Sequence, residues 1–140
     1  MVTFETSFPV RYAETDRMGI VYHANYYVWF EVGRNELLKS AGLPYWEIES
    51  QGVFLPVVKG FCRYRRPARF GDTVVVKTRV EELRAARIRL SYEVYRQQDN
   101  ALLAEGYTEH GFVDGSGKPI NLRKGHPQIW EILHKLKNLK

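Results

Sequence analysis

A chain of 140 residues with 44% hydrophobic and 26% charged positions is one domain's worth of sequence, residues 1–140, and can bury a core without disulfides or metals. Cys62 is the single cysteine, which excludes an internal disulfide and fits a reducing compartment. Lys plus Arg number 21 against 16 Asp plus Glu, for a net charge of +5. This modest excess gathers at Arg63, Arg65, Arg66 and Arg69, at Arg84, Arg87 and Arg89, and over Lys124 to Lys140. It suits a phosphorylated small molecule or a solvated face better than nucleic acid, for which no recognised binding motif is present.

The chain opens without a charged-then-apolar leader, and no apolar run approaches a membrane span, so a cytoplasmic, soluble protein is expected. Residues 4–12 read as a strand. Asn25 is placed to cap the N-terminus of a helix in which Tyr26, Tyr27, Phe30, Gly33, Leu37, Leu38 and Ala41 recur at helical spacing. Gly42 and Pro44 mark its end. Its first half is apolar on most sides, which predicts burial. Gly33 costs such a helix about 1 kcal/mol relative to Ala, so close approach to a strand is expected there.

Pro44 to Gln51 reads as a short helix. Thereafter the period is two. A strand is predicted from Val53 to about Arg66, with a turn at Gly71-Asp72. The next runs from Thr73 to Leu83, with a turn at Arg84-Ala85-Ala86. In Arg87 to Gln97, Ile88, Leu90, Tyr92 and Val94 share one face and Arg87, Arg89, Ser91 and Glu93 the other. After a turn at Asp99-Asn100 comes a last strand, Ala101 to Val113. His126 to Lys137 reads as a C-terminal helix with Ile129, Trp130, Leu133 and Leu136 on its stripe. Hairpins in succession imply an antiparallel sheet, and one long apolar helix must be covered by it. The class is α+β. A monomer of this kind leaves edge strands and one sheet face exposed.

The segment Tyr12-Ala13-Glu14-Thr15-Asp16-Arg17-Met18-Gly19-Ile20-Val21-Tyr22-His23-Ala24-Asn25-Tyr26 places a carboxylate, a glycine turn and a histidine just before the helix start. Free N–H groups at such a start stabilise negative charge, and a nearby carboxylate can attack or take a proton. This segment resembles the active-site stretch of the hotdog-fold acyl-CoA thioesterases, in the 4-hydroxybenzoyl-CoA thioesterase-like branch that includes the Tol-Pal-associated enzymes. Tyr64-Arg65-Arg66-Pro67-Ala68-Arg69-Phe70-Gly71-Asp72 resembles the family's strand-to-strand turn. Ala104-Glu105-Gly106, Phe112-Val113-Asp114 and Gly117-Lys118-Pro119 resemble its last strand and exit. The resemblance implies a hotdog fold, an antiparallel sheet of about five strands around one central helix, assembled as a homodimer or homotetramer. Three positions depart from the pattern. Glu14 stands where relatives often have Asp, Arg17-Met18 replaces a smaller pair, and Asn121-Leu122 lies where a proline is usual.

The resemblance also assigns site residues. Read alone, Asp16 is a turn carboxylate or an acid poised for chemistry; the resemblance implies the second, as general base or as nucleophile on a thioester. His23 would contribute its backbone N–H to the oxyanion, with the ring as a weaker candidate. Gly19 would supply a positive φ or close approach. Asn25 would cap the helix and fix the Asp16 loop, and Tyr22 would form pocket wall. Arg84, Arg87 and Arg89 are the first choices for holding the phosphates of CoA. Glu31 is a minor rival carboxylate, with Glu36 on the same helix. Cys62 reads as core. Ser91 and Ser116 lack a nucleophile elbow. Glu109, His110, His126 and His134 form no metal spacing.

The implied activity is hydrolysis of an acyl-CoA to free acid and CoA, with no cofactor. Two alternatives share the fold, a hydratase or dehydratase acting on an acyl thioester, and a non-catalytic module that binds acyl thioesters or acyl carrier protein.

Overall fold

The computed structural model describes residues 3–138. Strand β1 (Phe4–Pro9) leads through a 3₁₀ turn (Tyr12–Glu14) and a short hairpin into helix α1 (Asn25–Ser40) and the short α2 (Tyr45–Ser50). Strands β2 (Val57–Tyr64), β3 (Thr73–Arg84), β4 (Arg87–Arg96) and β5 (Ala101–Gly111) follow. Helices α3 (Leu122–Gly125) and α4 (Pro127–Asn138) close the chain. The strands form one antiparallel sheet in the order β1-β3-β4-β5-β2.

The first strand stops at Pro9 rather than near residue 12, because the Arg11 N–H is taken by Glu14 Oε1 at 2.8 Å and leaves the ladder. The expected start at Val53 also moves. Pro56 has no N–H to offer, Phe54 pairs instead with Val113, and the ladder begins at Val57. The turn at Gly71-Asp72 does not close a hairpin. Residues 65–72 carry the chain from β2, at one edge, to β3 on the other side of the sheet. Helix α3 has no counterpart in the sequence pattern; Asn121 caps it by accepting the Lys124 N–H at 3.0 Å. Helix α4 starts at Pro127, at a position where the missing N–H costs nothing.

The sheet lies against α1 and buries Val74, Val76, Val80, Ile88, Leu90, Tyr92 and Val94 against Trp29, Phe30, Leu37 and Leu38. Each such side chain contributes about 1.5–3 kcal/mol by leaving water. Phe30 and Tyr92 stack with ring centroids 4.3 Å apart. The penalty at Gly33 has the reason expected of it: a Cβ there would collide with Thr78 Oγ1 and lie 2.9 Å from Val76 Cγ1, so the helix rests directly on β3. At its C-terminus the Leu43 N–H reaches the Leu38 carbonyl and the Gly42 N–H that of Lys39, the paired bonds of a Schellman motif. Ile129, Leu133 and Leu136 bury the α4 stripe, with Trp130 half-buried beside them.

Edge strand β2 is poorly covered. Val57, Val58, Phe61 and Tyr64 are exposed there, as are Tyr27 and Val28 on α1. Among the described residues no helix is long and apolar enough to cross a membrane. The C-terminal basic patch extends to Lys140, which lies outside the described residues.

Candidate active site

Asp16 sits at the head of a small hairpin. Its N–H donates to Ile20 O at 2.8 Å, its carbonyl accepts the Gly19 N–H at 3.0 Å, and Thr15 pairs with Val21. Gly19 has φ +78°, and a Cβ added there would meet nothing within 4 Å, so dihedral freedom and not close approach is what the position requires. The carboxylate is half-buried. Its Oδ1 accepts the Met18 N–H at 2.8 Å, closing an Asx turn, while Oδ2 has no hydrogen-bond partner among the described residues.

Behind the hairpin the chain turns into α1. The Tyr22 N–H donates to Glu14 O at 2.8 Å, and the Asn25, Tyr26 and Tyr27 N–H groups are taken by the carbonyls of Tyr22, His23 and Ala24. The N–H groups of His23 and Ala24 donate to no group among the described residues. Asn25 is not the cap. The capping position falls on Ala24, which already has helical dihedrals. Asn25 is the first helical residue, and its Nδ2 donates to Glu14 O at 3.0 Å. That bond ties the helix start to the segment that leads into Asp16.

A cavity of about 310 Å³ opens beside this loop, lined by Ile20, Val21, His23, Tyr26, Tyr64, Arg65, Arg66 and Pro67. Asp16 itself does not line it. The Tyr64 hydroxyl donates to His23 O at 2.9 Å, and the His23 ring stands edge to face with Tyr64 at 6.1 Å and close to Tyr22 at 4.5 Å. Burial pushes the Tyr26 phenol up to about 12, so it is a neutral wall at physiological pH. The sequence did not tie Tyr64, Arg65 and Arg66 to the Asp16 loop because they are about forty residues away along the chain. Their sequence signals were the basic cluster, for the two arginines, and the strand-to-strand turn, which here crosses to the loop: the Val21 N–H donates to Ala68 O at 2.8 Å. Arg96 braces the same crossing, donating to Asp72 Oδ2 at 3.1 Å and Pro67 O at 2.8 Å.

The three arginines chosen for phosphate do not join this cluster within one chain. They lie at the other end of the β3–β4 hairpin, beyond most of the length of β3, which is roughly 35 Å at strand rise. Arg84 is paired with Glu82 at 2.6 Å, and Arg87 is exposed. Arg89 is hydrogen-bonded to Glu109 and stands 4.3 Å over the Tyr107 ring. Its hydrogen bonds hold the Glu109 carboxyl below the usual range, so Arg89 offers little free charge. Glu31 is exposed on α1 and Cys62 is half-buried in β2.

His110 is fully buried and belongs to a separate polar chain. Its Nδ1 lies 3.0 Å from Leu55 O and its Nε2 2.8 Å from Thr108 Oγ1. Thr108 Oγ1 is 2.7 Å from Tyr92 Oη, which accepts from Arg34 Nη1 at 3.1 Å. A carbonyl only accepts, so Nδ1 carries the proton and Nε2 accepts from Thr108. Thr108 then accepts from Tyr92, and every hydrogen in the chain points from Arg34 toward Leu55. Among the described residues, no group of three or more His, Cys, Asp or Glu side chains could hold a metal ion.

A family model described as the thioesterase-like superfamily matches residues 10–132. YneP of Bacillus subtilis, whose name gives it as a candidate acyl-CoA thioesterase, is 43% identical over 129 residues, which span 91% of this chain and 93% of that one. The acyl-CoA thioesterase YbgC of Haemophilus influenzae is 31% identical over 135 residues, 94% of this chain and 96% of that one. The solved structure of a DHNA-CoA thioesterase from Staphylococcus aureus superposes with a TM-score of 0.91 at 34% identity, covering 96% of this chain and 91% of that one.

Proposed function

The chain belongs to the thioesterase-like superfamily, with the hotdog fold of its structural neighbours, and from that premise we propose that it hydrolyses an acyl-CoA thioester to free acid and CoA at the Asp16 hairpin. The observation that carries this reading is the unequal use of polar groups there. Asp16 has one oxygen pinned and the other free, and the same hydrogen-bonded segment holds two N–H groups, of His23 and Ala24, without partners among the described residues. A free carboxylate oxygen delivers or activates the nucleophile. Free N–H groups at the start of a helix meet the negative charge that develops on the thioester oxygen. Asp16 acts either by drawing a proton from a water that attacks the carbonyl, or by attacking the carbonyl itself to give a mixed anhydride that water then opens to the free acid and the regenerated carboxylate. In both routes the C–S bond breaks and CoA leaves as the thiolate, which takes up the proton released from water. In both routes the His23 ring is dispensable, while its backbone is not.

The working unit is an oligomer. Strand β2 presents an unpaired edge with exposed apolar side chains. An antiparallel pairing with the same strand of a second copy would satisfy that edge. Tyr64 marks the Asp16 end of β2 and Val57 the end that registers with His110 and, through β5, with Ile88. Such a pairing sets Tyr64 of one copy near Val57 of the other. It thereby turns the second copy's Arg87-bearing end toward the first copy's Asp16, which gives the arginines a route to the nucleotide that one chain lacks. Arg65 and Arg66 at the cavity rim are the cations already in place.

The test is thiol release over a panel of acyl-CoAs, with light scattering on the same sample. Thiol release by an assembled species supports the reading. Hydration of an enoyl-CoA with no free thiol would replace it with the hydratase chemistry, and full activity in a stable monomer would remove the shared site.

A further inference from the structure

Glu14 is a buried carboxylate, 4% exposed, two residues before Asp16, and the hydrolytic chemistry leaves it unassigned. Both of its oxygens are engaged. Oε2 accepts the indole N–H of Trp29 at 2.8 Å, and Oε1 accepts the backbone N–H of Arg11 at 2.8 Å. The Arg11 guanidinium adds a contact at 3.6 Å, but that side chain is 70% exposed and contributes little. The main-chain carbonyl of Glu14 is engaged twice more, by the Tyr22 N–H at 2.8 Å and by Asn25 Nδ2 at 3.0 Å.

These four bonds reach two segments, the exit of β1 and the run from the hairpin into α1. Arg11 is the exit from β1, Tyr22 and Asn25 are the far side of the hairpin and the first turn of α1, and Trp29 is the second turn of α1. Trp29 is 1% exposed and wedged against Phe8 and Tyr26, with ring centroids at 5.9 and 4.7 Å, so its N–H is a fixed post. Every polar atom of Glu14 that can accept is therefore used to locate the hairpin between the exit of β1 and the helix.

Resting on the hydrolytic reading of Asp16, we propose that Glu14 is its positioning residue: it grips Trp29 with its side chain and the helix start with its carbonyl, and so fixes the distance between the Asp16 carboxylate and the N–H groups of His23 and Ala24. The length of the side chain is part of the device. An aspartate would end about 1.5 Å short, one carbon–carbon bond, and could not hold Trp29 and Arg11 together. A glutamine would reach both, but one of its two ends is a donor and would face an N–H. A loose hairpin still binds substrate through contacts made elsewhere, while the reacting groups lose their alignment.

The test is a cycle of Glu14→Gln, Asp16→Asn and the double variant, with kcat and KM measured separately and folding checked by thermal melting. Glu14→Gln is expected to lower kcat by about 10- to 10²-fold with KM unchanged, the size of effect that a small misplacement produces. In the Asp16→Asn background it is expected to lower kcat no further, because the group it positions is already gone. Trp29→Phe, which keeps an aromatic side chain but deletes the N–H with the five-membered ring that carries it, should show the same split, and it serves if Glu14→Gln fails to fold. Wild-type kcat in a folded Glu14→Gln protein overturns the proposal. So do losses that multiply in the double variant, since they show action independent of Asp16. Near-normal turnover of Asp16→Asn alone would instead bring down the hydrolytic reading itself, and the single variant identifies that case.

Discussion

The Asp16 hairpin and the chain from Arg34 to His110 are both polar clusters built against the same helix, and they use their hydrogen-bonding capacity in opposite ways. In the second, each donor has one acceptor, and His110, Thr108 and Tyr92 are all nearly inaccessible to solvent. A buried run matched in this way specifies how the core is put together, and its three buried side chains have no group left to offer a ligand. At the hairpin, a carboxylate oxygen and two backbone N–H groups are left over beside a cavity. Histidine at position 110 is the residue type more often associated with catalysis, yet its environment makes it structural. The loop aspartate, of a type commonly found in turns, is the one left available.

The contrast is broken most severely at Asp16. Asp16→Asn keeps the shape and the Asx bond to Met18 but removes the basic oxygen. kcat should fall by roughly 10²-fold or more with KM little changed, and stability should hold within about 1 kcal/mol. A folded variant with ordinary turnover in the thiol-release assay would make this carboxylate as structural as the histidine.

The second test titrates the other cluster. Burial lowers the His110 pKa from 6.5 to about 4, and the Arg34 charge adds to this against the opposing bond to Leu55. The unfolded chain therefore binds a proton that the folded one refuses. The contribution to stability is complete above pH 6.5 and declines as the pH falls toward 4, by about 3 kcal/mol over that window. Denaturant melts across this range, compared with those of His110→Gln, isolate the effect; parallel curves for the two proteins would count against it.

A smaller change asks whether helix and sheet carry both clusters as one rigid frame. Gly33→Ala adds a methyl where Thr78 Oγ1 and Val76 leave no room. The crowding should outweigh the gain in helix propensity, for a net loss of about 1–2 kcal/mol, and Thr78→Ala in the same chain should restore part of it. Equal melting midpoints for Gly33→Ala and the parent would show that the contact yields. The mildest effect is expected from Arg87→Ala. KM for an acyl-CoA should rise a few-fold and lose some of its salt dependence, with a short thioester lacking the nucleotide unaffected. Equal losses on both substrates would point to folding instead.

The elements along the chain were legible because alternation in β4 and helical spacing in α1 are local properties, and the glycine at position 33 advertised close approach by its cost. Strand order was not legible. Nothing in Val57–Tyr64 says that it will pair with β5 and not with β3. Asn25 misled because a side chain suited to capping was instead taken by Glu14 O, eleven residues away. Tyr64, Arg65, Arg66 and Glu14 share that difficulty. Their partners are set by tertiary geometry, and residue type alone carries no record of it.

The order β1-β3-β4-β5-β2 has a kinetic corollary. Strands β3, β4 and β5 are joined by tight turns, so their contacts close at low entropic cost, whereas β1 and β2 must be recruited over long stretches of chain. The meander is therefore expected to form first and exchange its amide hydrogens last. The flanking strands, with the hairpin and crossing loop attached to them, should open at lower free energy. Native-state hydrogen exchange reads this directly, and uniform protection across all five strands would contradict it. On this ordering the Asp16 loop is among the last parts of the chain to be organised, and the apolar edge at Val57, Val58 and Phe61 is open to self-association.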